Sequence, residues 1–358
     1  MKKNKEKRIE NQRQPGLDLI RCLALLFVLT FHSFLYNGYY YTGQVGLDMY
    51  LAGSFRWLSV SCIGLFLMLS GYLKSENTNI KSCYRALLSV ILCYFLVAAI
   101  TIPVRHFVFN EVHTFSAWLT MLFEFSAVKY GWYVEMYIGL VLIIPFINVA
   151  LKHLSNKEMN YFAVAMLILT ALSGATKWSV FPDYWRITYP ITYYILGAIV
   201  RRCQPKIETW LGLLGAVSVA AVLGGFTVLS TDGMLQDAVV WEFADIWIVL
   251  IVVCLFVALY KVKIHPIVSR VLKVMAGGCY GGYLLSHLLD AKVYSDLFPQ
   301  FRSPDKYFLM FICATIPIYI VCILLGIVIQ KITNLMLPRK KNNNKQKISI
   351  KDAGLIKK

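Results

Sequence analysis

Runs of about 20 apolar residues follow one another along most of this chain, with no polar stretch between them long enough to fold by itself. Backbone N–H and C=O groups in lipid must be satisfied within the segment, so such runs become helices. The expected fold is all-α: a polytopic membrane helix bundle. Spans fall near residues 16–36, 56–73, 85–104, 131–151, 159–175, 187–200, 209–229, 242–260, 272–290 and 307–335, about ten transmembrane helices. The moderately apolar segment 110–130 suits an amphipathic helix at the interface. Residues 1–14 and 337–358 read as basic tails flanking one transmembrane domain at 15–336.

The net charge of +17 has a different cause from that of a nucleic-acid-binding protein. Of the 36 Lys and Arg, 6 lie in the N-terminal tail and 9 in residues 331–358, and most others cluster in alternate connections. That is the positive-inside pattern with both termini cytoplasmic, and no nucleic-acid partner is expected. The tails can also touch anionic lipid headgroups, at about 1 kcal/mol per basic residue near the surface. The nine cysteines are scattered without a CxxC, as buried thiols would be, and no zinc spacing or HExxH is present, so no metal is expected.

Polar groups inside the spans are expensive and therefore point to function. The first span, GLDLIRCLALLFVLTFHSFLY, carries Asp18, Arg21 and His32. Arg21 and His32 are eleven positions apart, close to three helical turns, which puts them on one face roughly 16 Å apart along the axis. A guanidinium there suits an anionic group, while an imidazole deeper in suits a general base acting on a hydroxyl. Arg21 can equally snorkel or pair with Asp18 at i−3. Under either reading Asp18 orients it.

Three further spans carry groups of this kind. GWYVEMYIGL places Glu135 next to Trp132; a carboxylate in a span needs a partner, and His32 or an arginine is the natural choice. GGCYGGYLLSHLL gives a glycine-lined face with Tyr283, Ser286 and His287, open to close helix packing or to a thin ligand. Ser70 and Gly71 are small and polar beside aromatic residues, and Arg85 opens the third span.

In order along the chain, these segments resemble the acyltransferase-3 family of bacterial integral membrane proteins, which transfer acyl groups, most often acetyl, from acyl-CoA to surface glycans. GLDLIRCLALLFVLTFH resembles the family's opening signature, with Arg21 and His32 at its Arg and His. GLFLMLSGYL resembles its Ser-Gly motif at Ser70 and Gly71, and GWYVEMYIGLVLIIPF its Trp-Tyr span ending in Pro145. CYGGYLLSH is similar to its Tyr-Leu-x-His motif at Tyr283, Leu284 and His287. Leu67 replaces a common second Phe, and Cys279 stands where Ser is usual.

The resemblance implies a multi-pass protein of the bacterial cytoplasmic membrane that moves an acyl group, acetyl foremost, from acyl-CoA to a hydroxyl of a cell-surface glycan or lipid-linked glycan precursor. Arg21 and Arg85 are then expected to hold the phosphates of acetyl-CoA. His32 is the expected base with Glu135 orienting its ring, and Asp18, Ser70, Trp132, Tyr283, Ser286 and His287 are expected around the substrates. The rival reading uses the same polar residues to line the path of a transporter or flippase.

Overall fold

A computed structural model describes residues 13–41, 46–171, 182–230, 242–297 and 306–337, so the expected basic tails lie almost wholly outside the described residues. No strand occurs among those residues. The helices in chain order are α1 (Pro15–Tyr36), α2 (Leu47–Val60), α3 (Cys62–Lys74), α4 (Ile80–Phe107), α5 (Phe115–Phe123) and α6 (Trp132–His153). They continue as α7 (Asn156–Ala171), α8 (Tyr189–Cys203), α9 (Thr209–Ser230), α10 (Ile246–Leu259), α11 (Pro266–Leu297) and α12 (Tyr307–Met336), which holds a π-helical turn at Phe311–Thr315.

The bundle is assembled on α1. Pro15 pre-sets its first turn and Asp18 complements the positive end of the helix dipole. Thr30 and Ser33 return their hydroxyls to the carbonyls of Leu26 and Thr30 at 2.9 and 2.6 Å, so neither needs water. Most of α1 is buried, chiefly against α11, α3 and α2. In lipid, apolar area alone gives little reason for helices to associate; close approach and polar links supply it. A Cβ on Gly71 would overlap the Tyr194 carbonyl oxygen, and Gly278 and Gly326 bring α11 and α12 together in the same way. Buried Asn148 of α6 donates to the carbonyls of Lys74 and Asn77, both at 2.8 Å, and accepts from the Tyr194 hydroxyl at 2.8 Å. That fixes the end of α3 against α6 and α8.

Two spans differ most from expectation. The second begins at Leu47 rather than residue 56, because α2 and α3 run on with only a break at Ser61. Arg56 does not end the span. It is wholly buried, with Nε donating to the Tyr40 hydroxyl at 2.7 Å and its guanidinium 4.6 Å from the Trp57 ring. The ninth continues past residue 290 to Leu297, with Ser286, His287 and Asp290 buried. Among the described residues, six helical segments are long and apolar enough to cross a bilayer: α1, α2 with α3, α4, α6, α9 and α12. Helices stand at the other expected positions too, but α7, α8 and α10 have only 16, 15 and 14 residues, and α11 is diluted by polar ones. The short α5 buries none of its side chains, as suits a helix lying at an interface.

Candidate active site

His32 sits in the last turns of α1 and is almost completely buried. Its Nδ1 lies 3.2 Å from Oδ2 of Asp290, a residue of α11 with no solvent exposure. An ionised carboxylate only accepts, so with Asp290 ionised the imidazole proton sits on Nδ1 and the Nε2 lone pair is left to take another. Tyr130 stacks on the His32 ring at 4.1 Å and donates its hydroxyl to the same Oδ2 at 3.0 Å. Asp290 therefore orients two neighbours with one oxygen. Its other oxygen, Oδ1, has no hydrogen-bond partner among the described residues, nor has Nδ1 of buried His287, whose ring meets Tyr130 edge-on at 5.5 Å.

The turn that carries Tyr130 is built to stay put. Phe125 adopts a left-handed φ of 58°. Arg105 of α4 donates to the carbonyls of Ala127 and Ser126 at 2.8 and 3.2 Å, and pairs with Glu111 at 2.6 Å. This ion pair holds the Glu111 carboxyl below the usual glutamate range, the Arg105 hydrogen bond being the main cause. Next to Tyr130, the exposed Lys129 donates to the Tyr36 hydroxyl at 2.8 Å, which marks how near the His32–Asp290 pair lies to that end of the bundle.

A cavity of about 250 Å³ opens at the other end of α1. Arg21, Lys74 and Ser70 are its polar lining; aliphatic side chains, Phe66 and four tyrosines, 133, 137, 280 and 283, make up the rest. Arg21 is 29% exposed. His32 does not line this cavity. Tyr283 and Tyr133, their rings 5.5 Å apart, form a layer between the two, and Tyr283 donates to the Tyr130 carbonyl at 3.0 Å. Arg21 and His32, expected on one face of α1, are thus divided by tyrosines.

The other expected site residues separate into those on this path and those off it. Asp18 is buried, but Arg13 holds it through two hydrogen bonds of 2.7 Å, leaving Arg21 at 3.7 Å, so Arg13 and not Arg21 is its main partner. Ser70 lines the cavity, bonded to the Phe66 carbonyl at 3.1 Å and 3.4 Å from the Tyr137 hydroxyl. Ser286 is spent on the Tyr283 carbonyl of its own helix at 2.8 Å. Glu135 does not orient His32. It lies on the exposed side of α6, opposite the buried face of Tyr133, Val134, Tyr137 and Leu140, and forms no hydrogen bond or ion pair among the described residues. Trp132 is 41% exposed and rests on Phe243. Arg85 is exposed on α4 and does not reach the cavity.

Sequence reasoning missed Asp290, Tyr130 and Lys74. Asp290 follows His287 by three positions, which puts them one turn apart on one face, and that spacing was a usable signal. Lys74 follows Ser70 by four, on the cavity side of α3. Tyr130 carried no signal, standing in a segment that reads as interfacial.

Comparison with known proteins adds one finding. A family model described as an acyltransferase domain matches residues 14–328, from the start of α1 well into α12. No curated protein and no solved structure matches the chain. A match over most of the sequence, on a bundle with membrane-crossing helices and a buried histidine–aspartate pair, places this chain in the acyltransferase-3 family, as a membrane-bound acyltransferase.

Proposed function

We propose that this protein transfers an acyl group, acetyl foremost, from acyl-CoA to a hydroxyl of a cell-surface glycan or a lipid-linked glycan precursor, in the bacterial cytoplasmic membrane. The observation that carries this reading is the His32–Asp290 contact, which leaves a basic nitrogen where a hydroxyl can be deprotonated. The donor enters from the Arg21 end, its slender arm in the apolar cavity and its phosphate oxygens against the guanidinium. To reach His32 the thioester displaces the layer of Tyr133 and Tyr283.

In the reaction, Nε2 of His32 takes the acceptor's proton as its oxygen bonds to the thioester carbonyl carbon. The tetrahedral intermediate then collapses, the carbon–sulfur bond breaks, and the thiolate leaves with the proton from the imidazolium. Asp290 stabilises the imidazolium and holds the ring, and Tyr130 prevents the carboxylate from rotating away. Direct transfer needs fewer steps than an acyl-histidine intermediate.

The test is purified protein in detergent given radiolabelled acetyl-CoA and a soluble glycan acceptor, with free thiol and acylated product both measured. His32→Ala is expected to lower turnover by about a thousandfold, within the range that acid–base groups contribute. Full transfer by that variant overturns the mechanism. Movement of a glycan precursor across vesicles without thiol release points instead to the carrier reading.

A further inference from the structure

Lys74 is the last residue of α3 and lines the same cavity as Arg21. Its Nζ donates to the Tyr137 hydroxyl at 2.5 Å and sits 5.0 Å from the centre of that ring. Its backbone is pinned by Asn148, so the ammonium is presented from a fixed helix end. Lys74 has no carboxylate partner among the described residues, and no Asp or Glu lines the cavity. Arg21 has only Asp18, which is already occupied by Arg13. Both cations lie within electrostatic reach of the Tyr137 hydroxyl, which places them at one mouth of the cavity. Two cations whose nearest carboxylate is Asp18, itself held by Arg13, leave positive charge unbalanced at the end of an otherwise apolar slot and favour an anion there. The slot of about 250 Å³, lined mostly by apolar and aromatic side chains, suits a slender arm.

We propose that Lys74, steadied by Tyr137 and working with Arg21, is the seat for the phosphate at the base of a phosphopantetheine arm, so that the enzyme recognises its donor by that phosphate rather than by the nucleotide. This rests on the acyl-CoA reading above and goes beyond it by naming the group that is read and the second cation that reads it. Lys74 takes the role that Arg85 was expected to fill, because Arg85 lies outside the cavity.

Three donors separate the possibilities: acetyl-CoA, S-acetyl-4′-phosphopantetheine, which keeps the phosphate without the nucleotide, and S-acetyl-pantetheine, which has neither. The native enzyme is expected to show similar KM for the first two and a much higher KM for the third. Lys74→Met should raise KM for the two phosphorylated donors by about tenfold, the usual worth of one charge-assisted hydrogen bond, and leave S-acetyl-pantetheine unchanged. Lys74→Arg should recover most of the loss, and Tyr137→Phe should cost less than Lys74→Met. Binding of CoA to the detergent-solubilised protein, measured by calorimetry, should weaken in parallel, with the melting temperature of each variant as the control for folding. An equal rise for all three donors, or none, overturns the proposal. If the native enzyme uses none of them, the acyl-CoA reading itself has failed.

Discussion

The two ends of α1 handle charge in opposite ways. At the Arg21 end, two cations face a cavity that no carboxylate lines, and the Arg21 side chain keeps 29% of its surface exposed. At the His32 end, a carboxylate with no exposure is held by an imidazole and a phenol. A cation site that carboxylates balance only in part draws an anion from outside. A buried and partnered carboxylate does not; it fixes the proton on its neighbour. On the proposed function Arg21 and His32, roughly 16 Å apart along the helix, divide binding from chemistry, and substitutions at one end should register in KM, at the other in kcat.

The sharpest challenge to this division is Asp290→Asn, which keeps the shape and removes the charge that holds the His32 proton. Its kcat is expected to fall by about a hundredfold or more with KM for acetyl-CoA nearly unchanged, read from steady-state kinetics in detergent. Arg21→Ala should do the reverse, raising KM about tenfold and sparing kcat; a matching loss of kcat merges the two ends into one site. Tyr130→Phe removes one of the two bonds to Asp290 Oδ2 and should lower kcat about fivefold. The smallest effect is expected at Glu111→Gln, on the brace behind Tyr130. Because Arg105 depresses the Glu111 pKa, the stabilisation is fully present above about pH 4.3, the ordinary glutamate value, and is lost as pH falls through the lower folded value. The variant should melt slightly below the native protein at neutral pH, and that gap should close as pH falls through the lowered folded value.

Most helices were legible because their runs have the length a bilayer demands. What lay on which side of each helix was not. In a soluble protein the polar stripe marks the outside, but in lipid the outside of α6 is apolar too: Ile143 and Phe146 are exposed while Val141 and Ile144 are buried. Nothing in that pattern told Glu135 from Tyr137, and so Glu135 was placed facing His32. Asp290 was hidden for a related reason. It stood where the apolar run seemed to stop, whereas α11 continues to Leu297 because its carboxylate has partners. Arg21 and His32 were legible as a pair from the helical period alone, but their separation by Tyr133 and Tyr283 depends on three helices meeting, which no local pattern encodes.

That tyrosine layer has a consequence for the membrane itself. A bundle with an open cationic cavity at one end of α1 and a buried histidine toward the other stops short of a pore. Were the two ends continuous, water would thread them and protons would leak down the gradient with every idle second. Rings from α6 and α11, meeting edge to face across the middle and latched by the Tyr283 hydroxyl, let such a protein sit in an energised bilayer without short-circuiting it.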